Sequence, residues 1–303
     1  MRQADALAGA SAHRLVGQAT TRLRDAGSPS PRLDAELLVG HAFGRDRSWL
    51  LAHPEAELDS TAAAELRGWV ERRAAGEPIA YIRGFKEWLS MRVVTDPRAL
   101  IPRPETELLA EAAIDEIAGR LARDDEIVNA WEIATGSGAV AVALALRFRT
   151  ALALGRVRLA ASDASAEALE LAAENVTAHG ANGLVTLACG DLLEPPALPP
   201  PNQPDVLVAN LPYLTTAEAA AGVGSLRYEP LGALDGGPDG LDVIRRLLDV
   251  LPDRLARGGV ALLEIGAGQV DEVRQAAARL GLVAAESLRD LAGIERVVRI
   301  ARP

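Results

Sequence analysis

Residues 206–213 read Val206-Leu207-Val208-Ala209-Asn210-Leu211-Pro212-Tyr213. Four apolar residues have the length of a short buried strand, and this one stops abruptly at a polar amide. Asn210 brings a side-chain carbonyl as acceptor and an amide as donor. Pro212 stiffens the turn and has no N–H, so the backbone carbonyls around it can face a ligand. Tyr213 can lay a ring over that ligand. The pocket suits a planar nitrogen nucleophile, an amide NH2 or an aromatic amine, whose two N–H groups would be held by two acceptors. The plain alternative is a strand followed by a proline turn with no chemistry, and the rest of the chain decides between them.

Outward from this stretch, residues 127 to 303 alternate apolar strands with helices. Strands are expected over Ile127 to Ala134, Val157 to Ser162, Val185 to Ala188 and Asp205 to Ala209, then Val260 to Ile265, Leu282 to Ser287 and Val297 to Ile300. Helices fill 138–149, 165–179, 240–257 and 269–280. Such alternation predicts a mostly parallel sheet covered on both faces, an α/β domain. Of these seven strands the last two lie too close together for a crossover helix, so they should be antiparallel.

Ligands of such sheets bind at the carboxyl ends of the strands. The first strand runs into Ala134-Thr135-Gly136-Ser137-Gly138, whose glycines permit a tight turn and close backbone approach. The second ends at Asp163, placed to accept two ribose hydroxyls. The third ends at Gly190-Asp191-Leu192, where Asp191 can accept from an adenine amine and Leu192 can flank the ring. The fourth ends at Asn210. Together these describe a nucleoside-shaped site with a reaction centre beside it. The spacing Gly136-x-Gly138-x-x-Ala141 with Asp163 further on also fits a dinucleotide fingerprint, but a nicotinamide dehydrogenase leaves Asn-Leu-Pro-Tyr unexplained.

The first ninety residues have a different character. Leu15, Val16, Ala19 and Leu23 share a helical face, ended by Gly27-Ser28-Pro29. Ser30 is expected to cap a second helix with Pro31 at its first position. Asp46, and Asp59 or Ser60, are expected to cap two more. Short amphipathic helices with short links predict a small bundle. After Gly76-Glu77-Pro78 the period shifts toward two, so Ile79, Tyr81 and Met91 to Val94 are expected to form a hairpin. Then comes Ile101-Pro102-Arg103-Pro104-Glu105-Thr106-Glu107, an extended entry into a helix starting at Pro104. Glu105 and Glu107 suit its first turn. The organisation expected is 1–76 as a helical recognition domain, 77–102 as a hairpin bridge and 103–303 as the α/β domain.

With 42 acids against 32 bases and a net charge of −10, a general nucleic-acid surface is not expected. One cysteine, Cys189, permits no intrachain disulfide, and four histidines are too scattered for a zinc site. Neither a signal peptide nor a membrane span is legible, so the expectation is a cytoplasmic protein. Glu218 to Gly240 is long and glycine-rich, a candidate lid, and Pro195 to Pro201 reads as a stiff connection.

The glycine turn, Asp163 and Asn-Leu-Pro-Tyr resemble a class I S-adenosylmethionine-dependent methyltransferase. Within that group the heptad 101–107 resembles the signature of the HemK/PrmC family, whose members methylate the glutamine amide in the Gly-Gly-Gln motif of peptide chain release factors. Pro31-Arg32-Leu33-Asp34-Ala35-Glu36-Leu37-Leu38, Gly76 to Tyr81, Glu229-Pro230-x-x-Ala233-Leu234 and Gly237-x-Asp239-Gly240 also resemble that family, so the similarity spans nearly the whole chain in order. It implies a seven-stranded Rossmann-like methyltransferase sheet preceded by the helical bundle and hairpin. It implies S-adenosyl-L-methionine contacts from Ala134, Thr135, Gly136, Ser137, Gly138, Asp163, Asp191, Leu192 and Asn210. The substrate glutamine would be held, and its reaction promoted, by Asn210, Leu211, Pro212 and Tyr213, with Arg103 and Glu105 at the mouth. No metal is implied.

Three positions depart from the family pattern: Ala134 replaces its first loop glycine, Glu132 its leading Asp, and Leu211 its more usual proline. Asn-Leu-Pro-Tyr is also the form found in ribosomal RNA adenine dimethylases, which makes an adenine amine methyltransferase acting on nucleic acid the second reading. A non-catalytic binding module on the same fold is another, opposed by the intact Asp163 and Asn210.

Overall fold

The run Val206 to Ala209 lies at the middle of an eight-stranded sheet, and its residues alternate between two cores. Val206 and Val208 pack into one hydrophobic cluster, Leu207 and Ala209 into the other. A strand buried on both sides needs no polar alternation, which is why it reads as a continuous apolar run. The computed structural model describes residues 9–123, 127–193, 203–285 and 287–303. The expected connection over Pro195 to Pro201 lies outside the described residues. By contacts the chain forms two compact units, one ending at Phe85 and one running from Lys86 to Pro303.

The first unit holds α1 (Ala12–Asp25), α2 (Pro31–Phe43), α3 (Arg47–Ala52), α4 (Ser60–Ala74) and α5 (Ile79–Arg83). Its core is built on Leu15, Leu23, Leu38 and Leu66. Asp46 and Asp59 cap α3 and α4 by accepting backbone N–H bonds. Ser30 does not cap α2 with its side chain. Its hydroxyl bonds Asp34, which also takes Ser28 and Arg73, so a buried carboxylate outcompetes the helix end for that hydroxyl. The expected strand at Ile79 and Tyr81 is instead α5. Ala80, Tyr81 and Ile82 are buried in succession, a pattern no half-exposed strand allows, and Gly84 in the left-handed region ends the turn.

A hairpin of β1 (Phe85–Trp88) and β2 (Met91–Val94) begins at the boundary, and the second unit continues with α6 (Pro104–Arg123), which starts at the proline as expected. Then come β3 (Val128–Ile133), α7 (Ala139–Arg147), α8 (Arg149–Ala153), β4 (Val157–Asp163), α9 (Ala166–Ala178), β5 (Val185–Cys189) and β6 (Val206–Asn210). After α10 (Thr216–Ala221) follow α11 (Asp242–Arg254), β7 (Val260–Glu264), α12 (Val270–Arg279), β8 (Val283–Ala284), β9 (Leu288–Arg289) and β10 (Glu295–Ala301). The sheet order is β5-β4-β3-β6-β7-β10-β8, with β9 also on β10. Strands β3 to β7 are parallel and β10 is antiparallel to its neighbours.

Among the described residues the sheet has eight strands against the seven expected, the additional one being β9. Asp290 accepts the N–H groups of Ala292 and Ile294, closing a tight turn that folds β9 back onto β10. One face of the sheet is covered by α6, α7 and α9, the other by α11 and α12. The chain leaves β3 toward β4 on one side and returns to β6 on the other. A crevice therefore opens between β3 and β6 at their carboxyl ends, the usual ligand position of such sheets.

Candidate active site

Even-numbered residues of β3, β6 and β7 share the face covered by α6 and α7. Each of these strands ends on that face in a polar residue: Glu132, Asn210 and Glu264. Asn210 and Glu264 are register partners on adjacent strands. A cavity of ≈ 470 Å³ lies at these strand ends. Its wall includes Arg103, Ala134, Thr135, Gly136, Ser137, Asp163, Asp191, Leu192, Asn210, Leu211 and Pro212. Gly138, Glu105 and Tyr213 are not on that wall.

In the half of the wall from β3, β4 and β5, the carboxylate at the end of β4 is tied to backbone. Asp163 Oδ2 accepts the Gly136 N–H at 2.8 Å, and its Oδ1 accepts the Ser165 N–H at 2.9 Å. Burial pushes this carboxyl above the usual carboxylate range, while the N–H groups of Ser165, Gly136 and Ala164 pull it back. A carboxylate has about four lone-pair positions, so capacity remains for a ligand hydroxyl. Ala134 sits at φ +52°, a conformation that suits the glycine it replaces. Gly138 caps the start of α7 at φ +76°, where a larger residue is strained. A Cβ there would meet Ala172 Cβ at 3.0 Å and Cα at 3.1 Å. Beneath the loop, Glu132 is buried and accepts the Thr135 hydroxyl at 2.7 Å. Burial pushes its carboxyl up to about 8, against the Thr135 hydrogen bond. Asp191 Oδ2 accepts from Arg246 at 2.6 Å, with both side chains about half exposed.

The half from β6 and β7 is held by side chains from distant segments. Asn210 Nδ2–H donates to Thr106 Oγ1 at 3.1 Å. The Tyr213 hydroxyl donates to Glu264 Oε1 at 3.3 Å, and the Tyr213 carbonyl accepts from Gln269 Nε2 at 3.0 Å. Tyr213 is thus held at both its hydroxyl and its carbonyl, beside the cavity rather than among its lining residues. Burial raises its phenol above the usual value, and neighbouring Glu264 raises it further. Arg103 faces the cavity with its guanidinium fixed by Glu229 at 2.6 Å and its carbonyl accepting from Trp88 Nε1 at 2.8 Å. Glu229 is fully buried and also accepts the Ile101 N–H, pinning the segment 226–233 to the corner before α6. Pro230, Gly232 and Ala233 of that segment line the cavity. Glu105 lies outside, 3.8 Å from Arg296.

Sequence reading missed Thr106 and Glu264. A threonine in a first helical turn and a glutamate at a strand end are each unremarkable. Only the packing of α6 across β6 and β7 brings them to Asn210.

The geometry fits an adenosyl donor. Carboxylates stand at two successive strand ends, and Val140, Leu192 and Val243 supply apolar wall for a ring. Among the described residues no cluster of His, Cys, Asp and Glu could hold a metal. No helix among them is long and apolar enough to cross a membrane.

The family model for the PrmC N-terminal domain matches residues 14–84. The release factor glutamine methyltransferase of Bordetella pertussis is 39% identical over 267 residues, covering 88% of this chain and 93% of its own. That of Moorella thermoacetica is 39% identical over 282 residues, covering 93% and 95%. Among solved structures, the hMettl16 catalytic domain in complex with the MAT2A 3'UTR hairpin 6 matches with a TM-score of 0.51 at 14% identity, covering 80% of this chain and 81% of that one. At that identity the likeness concerns the fold alone.

Proposed function

The chain belongs to the release factor glutamine methyltransferase family, and on that premise we propose how its cavity serves the reaction. The enzyme transfers a methyl group from S-adenosyl-L-methionine to the side-chain amide nitrogen of the glutamine in a release factor's Gly-Gly-Gln motif. The observation that carries the residue assignment is the Asn210 amide, whose Nδ2–H is committed to Thr106 and whose Oδ1 is left as an acceptor at the cavity wall.

The residues that would hold the donor are Ala134 to Gly138, Asp163, Asp191 and Leu192. The donor supplies an already activated methyl carbon, so the protein's work is placement. Asp163 accepts hydroxyl hydrogens, and its backbone bonds keep it from turning away. Leu192 and the apolar wall exclude water from a ring. Asn210 Oδ1 and the Leu211 carbonyl accept the two N–H hydrogens of the substrate amide. An amide nitrogen is a weak nucleophile because its lone pair is delocalised. Its N–H groups become more acidic as the nitrogen is alkylated, so both hydrogen bonds strengthen on the way to the transition state. No strong general base is needed. The clamp of Arg103 and Glu229 keeps the mouth in shape, and Tyr213 buttresses the wall. The helical unit, matched by the family model, is read as the part that recognises the release factor. Release factors act in the cytoplasm, which is where we place the reaction.

The test is methyl transfer from labelled S-adenosylmethionine to purified release factors, wild type and with the Gly-Gly-Gln glutamine replaced, with RNA as a competing acceptor. Label on the wild-type factor alone is expected. Label on RNA, or on the replaced factor, would reject the assignment in favour of a nucleic-acid substrate or another site on the protein.

A further inference from the structure

We propose that Glu264 is a positioning residue that acts through the Thr106 hydroxyl to fix which end of the Asn210 amide faces the substrate. The inference rests on the role given to Asn210 above and goes beyond it, because it assigns Thr106 at the cavity wall and the buried Glu264 to the control of that amide.

The geometry is a relay of three side chains on three elements. Asn210 and Glu264 project side by side from β6 and β7, and Thr106 of α6 lies over them. Asn210 Nδ2–H donates to Thr106 Oγ1 at 3.1 Å. The Tyr213 phenol donates to Glu264 Oε1 at 3.3 Å, and the Thr106 hydroxyl stands beside the same carboxyl and lowers its pKa against the effect of burial. Glu264 is 1% exposed, and its Oε2 has no hydrogen-bond partner among the described residues. A buried carboxyl oxygen left unpaired is costly, and leucine or valine would fill the same position without that cost. Its presence calls for a task.

The task follows from counting hydrogens. A threonine hydroxyl has one hydrogen to give and two lone pairs to receive with. Beside an ionised carboxylate that hydrogen goes to the carboxylate. The hydroxyl can then only accept from Asn210, so Nδ2 turns inward and Oδ1 turns to the cavity. This is the polarity a substrate NH2 requires. When Glu264 carries a proton, its own O–H can donate to Thr106. The threonine hydrogen is then free for Asn210 Oδ1, so the hydroxyl no longer fixes the amide, and its reversed form presents NH2 to NH2. Two donors face to face hold nothing.

The groups around Glu264 bring this reversal within reach. Burial is the largest influence and raises the carboxyl. Glu105 on α6 raises it further, while Thr106, Tyr213 and Arg296 of β10 oppose. The balance is about 7. Arg103, before α6, has its guanidinium held by Glu229 at 2.6 Å. Asp290 holds Arg296 at 2.9 Å.

The test compares Glu264→Gln, Thr106→Val and Thr106→Ser with the wild type. Turnover is measured against pH at saturating donor, donor affinity by calorimetry, and the Asn210 side-chain NH2 signals by NMR in the donor-free protein. Wild-type kcat is expected to fall as pH drops through about 7. Glu264→Gln, which has no carboxyl proton to gain, is expected to lose that acid limb. Thr106→Val should cost on the order of 10- to 100-fold in kcat with donor affinity within about twofold, and Thr106→Ser should restore most of it. The Asn210 NH2 signals should shift with the same midpoint in the wild type and not in Glu264→Gln. Asn210 signals indifferent to that titration overturn the proposal, whatever the kinetics. So does an acid limb that survives in Glu264→Gln, or a Thr106→Val defect confined to donor affinity or melting temperature. If the wild type methylates no release factor, the functional reading fails, while the NMR titration still decides the relay.

Discussion

The two halves of the cavity wall are built by opposite means. Around β3 and β4 the central carboxylate is fastened to backbone, Asp163 to the N–H groups of Gly136 and Ser165, and Thr135 is held by the Glu132 side chain only three residues away. Around β6 and β7 the polar groups are fastened to other side chains across long separations, Asn210 to Thr106 over 104 residues and Tyr213 to Glu264 over 51. Backbone cannot rotate out of the way, so the first half is a fixed mould for a ligand that is the same at every turnover. Side chains can exchange donors for acceptors, so the second half suits a group whose hydrogen-bonding demand changes as it reacts. The difference assigns binding to one half and turnover to the other.

That division is open to attack by substitution, starting where the expected effect is largest. Asn210→Ala should lower kcat on the order of 10²- to 10³-fold, the usual cost of deleting one preorganised transition-state partner. Donor affinity measured by calorimetry should stay within about twofold. Equal losses in both would erase the distinction between the halves.

Asp163→Ala should do the reverse. Donor affinity should weaken by about 10- to 100-fold, the worth of one or two charge-assisted hydrogen bonds. Turnover at saturating donor should change little. The loss of the Gly136 N–H partner adds to the effect by loosening the loop. Unchanged affinity would remove Asp163 from the site.

Gly138→Ala probes the mould itself. The added methyl would sit 3.0 Å from Ala172 Cβ at a backbone φ of +76°. Chemical denaturation should register a loss of about 1–3 kcal/mol. A neutral result would mean that α7 and α9 can part without cost.

The smallest effect concerns pH. Glu132 and Glu264 are both pushed upward by burial, to about 8 and about 7, from the ordinary 4.5. A carboxyl raised by folding contributes stability that is fully present below its unfolded value and is lost as pH rises through the folded one. The donor-free protein should therefore melt lower at pH 8.5 than at pH 5.5, and Glu132→Gln should reduce that drop by on the order of a few degrees. A melting temperature that climbs over this interval in the wild type would contradict the burial of both groups.

The contrast between the halves also explains what could be read from the sequence. Glycines 136 and 138, Asp163 and the Asn-Leu-Pro-Tyr strand end are local signals, because the strand-turn pattern itself places them at a sheet edge. The mostly parallel sheet followed from the same alternation. Thr106 and Glu264 carried no such signal, since their meaning arises only when α6 crosses two strands. Tyr213 was legible as a site residue but not as a buttress, because its direction is set by Glu264 and Gln269. The helix at 79–83 was misread as a strand for a related reason. Consecutive burial of Ala80, Tyr81 and Ile82 is a tertiary fact that a period of two cannot express.

One measurement reaches the centre of this account most directly: the structure of the enzyme with the demethylated donor and a Gly-Gly-Gln peptide bound. The glutamine amide nitrogen is predicted to lie at hydrogen-bond distance, about 2.7–3.2 Å, from Asn210 Oδ1, with Asn210 Nδ2 still on Thr106. A glutamine amide held elsewhere, or an Asn210 that turns its own NH2 toward the peptide, would contradict it.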